Sequence, residues 1–193
     1  MFNCKEELEK KFPEIQVEVR KIDLMSTNIE DYIELADSVK SLDVSILINN
    51  AGYANIGPIE EEEYDELERM VKTNMGPYVY LTRSMLPRML KREKKSGIIF
   101  TSSVSATITI PGVSTYGATK AFNDHFSQSL AYEVIDKVDV LSFKPAGVAS
   151  NMYKHKPSFG VLTPLVAANG ALDALGRDVE TYGHWRHVVS TKA

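Results

Sequence analysis

Gly97-Ile98-Ile99-Phe100-Thr101-Ser102-Ser103 decides the fold, because an apolar run of strand length ends there in three hydroxyls. Apolar residues without alternation over 97–101 suit a strand buried on both faces, as in a parallel sheet. The runs 44–48 and 138–143 read the same way, and 15–22 alternates apolar and polar like a strand exposed on one face. Helical patterns lie around them at 28–41, 64–94, 115–135 and 163–175. The order α-β-α-β-α-β-α-β-α predicts an α/β class, a parallel sheet with helices on both faces.

The rest of the chain is consistent with one domain. It has 193 residues, 44% hydrophobic and 25% charged, enough to bury a core. A net charge of −4 gives no concentrated basic face for nucleic acid. The single Cys4 allows neither an internal disulfide nor a CxxC metal knuckle. No apolar run approaches the ~18 residues of a membrane span. The opening Met1-Phe2-Asn3-Cys4-Lys5-Glu6-Glu7 lacks the apolar centre of a signal peptide. His155, His184 and His187 fit no metal pattern, and His184-Trp185-Arg186-His187 reads as surface, so no metal site is expected.

In open parallel sheets, ligands bind beyond the carboxyl ends of the strands. The four strand exits carry Asp23-Leu24, Asn49-Asn50-Ala51-Gly52, Thr101-Ser102-Ser103 and Pro145-Ala146-Gly147-Val148-Ala149-Ser150. Small and polar residues at every exit give the layout of a site. Asp23 suits hydrogen bonding to a base edge or capping of the next helix, a task Ser26 or Thr27 can also perform. Gly52, without a Cβ, admits close approach of a flat ligand.

Tyr116-Gly117-Ala118-Thr119-Lys120 places a phenol and an ammonium on one helix face. A neighbouring cation favours phenolate and lowers the Tyr pKa, as a general acid working near neutrality requires. A chain of this composition offers roughly one such pair by chance, and a Tyr packed on a helix with Lys extending past it is the simpler reading. Ser103, 13 residues earlier at a strand exit, reverses that balance. Its hydroxyl can donate to a substrate oxygen that Tyr116 protonates.

Asn74 interrupts the apolar stripe Leu67, Met70, Val71, Met75, Tyr78, Val79. Pro77 removes the N–H that would bond the Thr73 carbonyl, and Gly76 loosens the same turn, which predicts a break in the helix with Asn74 turned towards Lys120. A freed carbonyl beside a buried Asn can hold an ordered water; a structural Asn anchoring neighbouring loops is the equal alternative.

Taken jointly, Asp23-Leu24, Asn49-Asn50-Ala51-Gly52, Asn74, Ser103, Tyr116-x-x-x-Lys120 and Pro145-Ala146-Gly147-Val148 resemble the short-chain dehydrogenase/reductase family over about residues 1–176. Tyr116 to Phe122, Phe126-Ser127-Gln128-Ser129-Leu130, Glu133 and the tail Thr181 to His187 resemble its hydroxysteroid dehydrogenase and very-long-chain 3-oxoacyl-CoA reductase branch. The resemblance implies a Rossmann-like, doubly wound sheet and reduction of a ketone by hydride transfer from NADP(H), preferred over NAD(H). Tyr116 is then the proton donor or acceptor. Lys120 lowers its pKa and holds the ribose, Ser103 polarises the carbonyl, and Asn74 holds a relay water. Asn50, Ala51 and Gly52 line the adenosine-ribose side, with Asp23 and Leu24 near the adenine. The Val148 backbone meets the nicotinamide carboxamide, with Ser150 near it or the diphosphate.

The family's opening strand, its Thr-Gly-x-x-x-Gly-x-Gly turn and the following helix cradle the diphosphate and are not in this sequence. The chain is therefore expected to begin in the helix before the family's third strand, as one partial domain over 1–193, with the last strand reduced or absent. Ala149-Ser150 and Gly76-Pro77 also depart from the family pattern. An apolar ketone or acyl-CoA is the implied substrate. The implied location is the cytoplasm or the endoplasmic-reticulum membrane. Homo-oligomerisation through 64–94 and 115–135 is implied too, with Phe122, Phe126 and Leu130 at i, i+4, i+8, unless that stripe packs on the sheet. A non-catalytic, partner-binding remnant is the alternative.

Overall fold

The computed structural model describes residues 2–25 and 28–192. The proposed caps Ser26 and Thr27 lie outside the described residues. Strands β1 (Ile46–Asn49), β2 (Ser96–Thr101) and β3 (Val138–Phe143) pair in parallel, with Ile48 opposite Ile99 and Ile99 opposite Leu141. β4 (Gly147–Val148) and β5 (Val161–Leu162) form a separate parallel pair, and β6 (Glu180–Thr181) adds to β3. The main sheet runs β1-β2-β3-β6. β6, the last strand among the described residues, is two residues long.

Helices cover both faces, as the class requires. α1 (Phe2–Lys11) precedes α2 (Ile29–Ser38), α3 (Tyr64–Met89) and α4 (Ser114–Glu133). Alternation along the strands sends Ile98, Phe100, Val138 and Val140 to one face, against Ala36, Tyr78, Met85, Met89 and Leu130 of α2 to α4. Ile99, Leu141 and Phe143 face the other way, onto Ala167, Ala171 and Ala174 of α5 (Pro164–Ala174). α6 (Trp185–Lys192) closes the described chain.

Three expectations need correction. Residues 15–22 form no strand. An extended segment needs a ladder partner, and among the described residues none pairs with it. The run 44–48 is not buried on both faces: Leu47 packs on the core, whereas Ile46 and Ile48 are 45% and 52% exposed at the open edge of β1. α3 is unbroken from Tyr64 to Met89 and runs through Pro77. Burial of Pro77, Tyr78 and Thr82 holds that stretch in place despite the lost N–H. Of the stripe on α4, Phe126 and Leu130 pack on the sheet, Phe126 edge-on to Phe100, while Phe122 is exposed and stacks on Phe126.

Candidate active site

The exits of β1 and β2 and the start of α4 meet around a buried ammonium. Lys120 is 3% exposed. Its Nζ donates to the Thr101 carbonyl at 2.8 Å and lies 5.6 Å from the Tyr78 ring centroid and 5.7 Å from that of Tyr116. Burial pulls its pKa down to about 8. An ammonium has three donors, and one acceptor is on hand in the Thr101 carbonyl, so the remaining N–H directions suit a ligand's hydroxyls.

Ser103 stands in extended backbone at the end of β2. Its Oγ accepts the Ser105 N–H at 3.2 Å, capping a 3₁₀ turn over 104–106. With a lone pair engaged there, the hydroxyl proton remains available for donation. Ser103 neighbours the Tyr116 phenol closely enough to act on its ionisation. Burial raises the Tyr116 pKa above its ordinary value, while the Ser103 contact works against that rise. The Lys120 ammonium lies beside the Tyr116 ring and donates to the Thr101 carbonyl.

Asn74 is fully buried. Its Oδ1 accepts the Tyr53 N–H at 2.7 Å, and its Nδ2 donates to the Tyr53 carbonyl at 2.9 Å and to Thr119 Oγ1 at 2.9 Å. Its own carbonyl accepts from Asn123 Nδ2 at 3.0 Å. Asn74 thus anchors the loop after β1 to α4. It also faces the site: a Cβ on Gly52 would stand 3.3 Å from Asn74 Oδ1 and 3.4 Å from Lys120 Nζ. Gly52 thus borders both groups.

The other candidates sit further out. Asn50 is exposed, and its Oδ1 accepts from Thr101 Oγ1 at 3.1 Å. Ala51 is exposed beside it. Val148 lies in β4, and the segment leading to it is tied to the site by the Val104 N–H on the Pro145 carbonyl at 3.1 Å. Ser150 is exposed and accepts the Tyr153 N–H at 3.3 Å. Asp23 is not drawn into the cluster. It accepts the Met25 N–H at 3.0 Å and, without Leu24, lines an open cleft of about 400 Å³ with Asp31, Glu34 and Leu35. Among the described residues, no group of three or more His, Cys, Asp or Glu is placed to hold a metal ion.

Sequence reasoning missed Thr101, whose carbonyl holds Lys120 and also accepts the Tyr78 hydroxyl at 3.3 Å. No side-chain pattern signals a backbone acceptor. It also misread His187, which is wholly buried rather than superficial. Ser102 was passed over beside Ser103, yet its Oγ donates to the Lys120 carbonyl at 2.7 Å.

A family model described as short chain dehydrogenase matches residues 2–159. The human protein named inactive hydroxysteroid dehydrogenase-like protein 1 is 33% identical over 172 residues, covering 85% of this chain and 52% of the relative. The very-long-chain 3-oxoacyl-CoA reductase of Pyricularia oryzae is 31% identical over 195 residues, covering 95% of this chain and 58% of the relative. The chain thus spans about half the length of the curated relatives it matches. Among solved structures, a short chain dehydrogenase from Salmonella enterica serovar Typhi superposes with a TM-score of 0.79 at 20% identity, over 93% of this chain and 78% of that one. A chain described as a short chain dehydrogenase from Shigella flexneri 2a, complexed with NADP, gives 0.80 at 19% identity, over 93% and 80%. The parallel sheet with helices on both faces agrees with these folds, and no described helix is long and apolar enough to cross a membrane. With the family match spanning residues 2–159, the chain belongs to the short-chain dehydrogenases, a family of oxidoreductases.

Proposed function

We propose that these residues form the substrate side of an NADP(H)-dependent reductase that turns a ketone on a long apolar molecule, a 3-oxoacyl thioester or a keto-steroid, into its alcohol. The observation that carries this reading is the buried Lys120 ammonium beside the Tyr116 ring, with Ser103 at the adjoining exit of β2. When bound, NADPH supplies the hydride that reduces the carbonyl carbon. Lys120 holds the ribose hydroxyls through its remaining N–H groups, next to Asn50, Ala51 and Gly52, and the Val148 backbone and Ser150 meet the nicotinamide end. Ser103 donates to the carbonyl oxygen and orients it. Tyr116 delivers its proton to that oxygen as negative charge develops, and its raised pKa keeps the phenol protonated at neutral pH. Asn74 Oδ1 has a second acceptor direction for a relay water. The choice of NADP(H) is supported by the Shigella neighbour's complex with NADP.

The substrate class follows the reductase relatives' name and the segment before β5. Met152, Tyr153 and Phe159 are exposed there beside exposed Lys154 and Lys156. The apolar groups suit an acyl chain and the lysines a thioester's phosphates. Leu162 drops out of that wall, because it is fully buried in the core under α5. Location in the cytoplasm or on the endoplasmic reticulum belongs to the same proposal.

A second reading, a non-catalytic partner-binding protein, is favoured by the human relative's name. The coding sequence upstream of Met1 separates the two if it encodes an in-frame strand, Gly-rich turn and helix. The encoded protein is then assayed for NADPH consumption with a long-chain 3-oxoacyl-CoA, a keto-steroid and a small sugar ketone. Turnover of the first or second that falls about 100-fold or more in Tyr116→Phe supports the reductase. Absence of turnover supports the second reading, and preference for the sugar overturns the apolar substrate.

A further inference from the structure

The segment after β3 is held by a residue 40 positions further along the chain. His187, in the first turn of α6, is wholly buried. Its ring spans two consecutive residues of the Pro145-Ala146-Gly147-Val148 segment. The Ala146 N–H meets Nδ1 at 3.1 Å, and Nε2 meets the Gly147 carbonyl at 3.1 Å. A backbone N–H can only donate and a carbonyl can only accept. Nδ1 is therefore bare and Nε2 carries the proton, which fixes a neutral imidazole in one tautomer.

The surrounding chain is built to bring that ring there. Gly183 has φ +75°, a conformation glycine adopts without strain, and it turns the chain from β6 into α6. A Cβ on Gly170 of α5 would overlap the Gly183 carbonyl, so the turn sits directly on α5. From the other side, the Val104 N–H holds the Pro145 carbonyl, one residue from Ser103. An unbroken chain of hydrogen bonds and backbone thus runs from His187 through Ala146 and Pro145 to the residue beside Ser103.

We propose that His187 is a positioning residue: as a neutral Nε2–H imidazole it staples the 145–148 segment, setting the Val148 backbone and the spacing of that segment from Ser103. The consequence for the cofactor's carboxamide rests on the reductase reading; the staple does not. Burial pulls the His187 pKa below its ordinary value. The Gly147 and Tyr182 carbonyls work against that fall, and His184 and Arg186 add to it. Lys144, the nearby cation at the end of β3, is paired with Asp124 and Glu180 and lies 5.5 Å from the Tyr182 ring centroid. Protonation would put a hydrogen on Nδ1, facing the Ala146 N–H. The staple therefore holds at neutral pH and opens on acidification below the usual His range.

The test uses the 193-residue chain. Long-range ¹H–¹⁵N spectra of ¹⁵N-histidine-labelled protein should show His187 as the neutral Nε2–H tautomer at pH 7, persisting at a pH where exposed imidazoles are protonated. Hydrogen exchange of the Ala146 amide should be about tenfold or more faster in His187→Phe, which keeps the ring's bulk but neither hydrogen bond. His187→Gln, with an acceptor and a donor, should restore much of the protection. An Nδ1–H tautomer, a charged ring at pH 7, or unchanged Ala146 exchange in His187→Phe would overturn the proposal. Should the Phe variant not fold, the wild-type spectrum still decides. In the protein encoded by the complete coding sequence, His187→Phe should raise the NADPH KM about tenfold with a smaller change in kcat. An inactive wild type would sink the reductase reading and leave the staple standing.

Discussion

Lys120 shows how one residue's surroundings decide what its sequence position only suggests. The i, i+4 spacing puts it beside Tyr116, but its charge is buried against two tyrosine rings and one carbonyl. Its folded pKa of about 8 lies below the unfolded value near 10.5, so the folded state binds fewer protons between those limits. Stability therefore rises with pH across that window and is lost as pH falls through about 8. Tyr78 and Tyr116 act in the opposite sense, since burial raises both, but only near and above the ordinary Tyr range. The urea midpoint is accordingly expected to climb from about pH 8 to about pH 9.5, and Lys120→Met should flatten that climb. A midpoint independent of pH in the wild type would show that the ammonium is not desolvated. Asn74 belongs to the same lesson. Its place in an apolar stripe marked it as anomalous, but its partners, the Tyr53 backbone and Thr119, come from two distant segments that spacing does not reveal.

At the scale of elements, local pattern was a good guide wherever a neighbour completed it. The apolar runs at 97–101 and 138–143 became β2 and β3 because each pairs on both sides. The alternation at 15–22 is as clear in the sequence, but it has no ladder partner among the described residues and stays irregular. Lys144 and His187 were illegible for a related reason. Lys144 is 3% exposed because Asp124 of α4 and Glu180 of β6 converge on it, and His187 because α6 folds back on the segment after β3. Glycine carries that last packing. Gly170→Ala would drive a methyl group into the Gly183 carbonyl, a backbone atom that cannot rotate away. Since α5 and the turn must separate, the variant is expected to lose about 2–3 kcal/mol in urea unfolding, as overpacked sites do. Gly57→Ala, where a Cβ meets nothing within 4 Å, should change little in the same experiment. Equal stability of the two variants would show that α5 and the turn are not in contact.

Among the described residues, the whole molecule is organised around an open sheet with β1 at one edge and β6 at the other. Among the described residues both edges are unpaired on their outer side; β6 is two residues long, whereas β1 is four and carries exposed Ile46 and Ile48. Such an edge templates association, and a single Lys on its outward face blocks it. Light scattering behind size exclusion should therefore show concentration-dependent self-association that Ile48→Lys suppresses; a monomer at all concentrations would count against an accessible edge. The same edge governs cofactor affinity. In dinucleotide sites much of the binding comes from the diphosphate, held by backbone N–H groups at a helix N-terminus after a Gly-rich turn. Among the described residues, what borders β1 at its exit is Asn50, Ala51 and Gly52, and Asp23 lines a separate cleft. The ribose and nicotinamide side keeps Lys120, Ser103 and Tyr116, with the Lys120 ammonium to meet a dinucleotide that carries several negative charges. The 193-residue chain is thus expected to bind NADPH only weakly, with a Kd of about 1 mM or above, a few kcal/mol short of a micromolar site. Titration followed by NADPH fluorescence reads this directly. Micromolar binding that survives Lys120→Met would show that the diphosphate is held somewhere other than the β1 exit, and micromolar binding lost in Lys120→Met would show that the ribose side alone suffices.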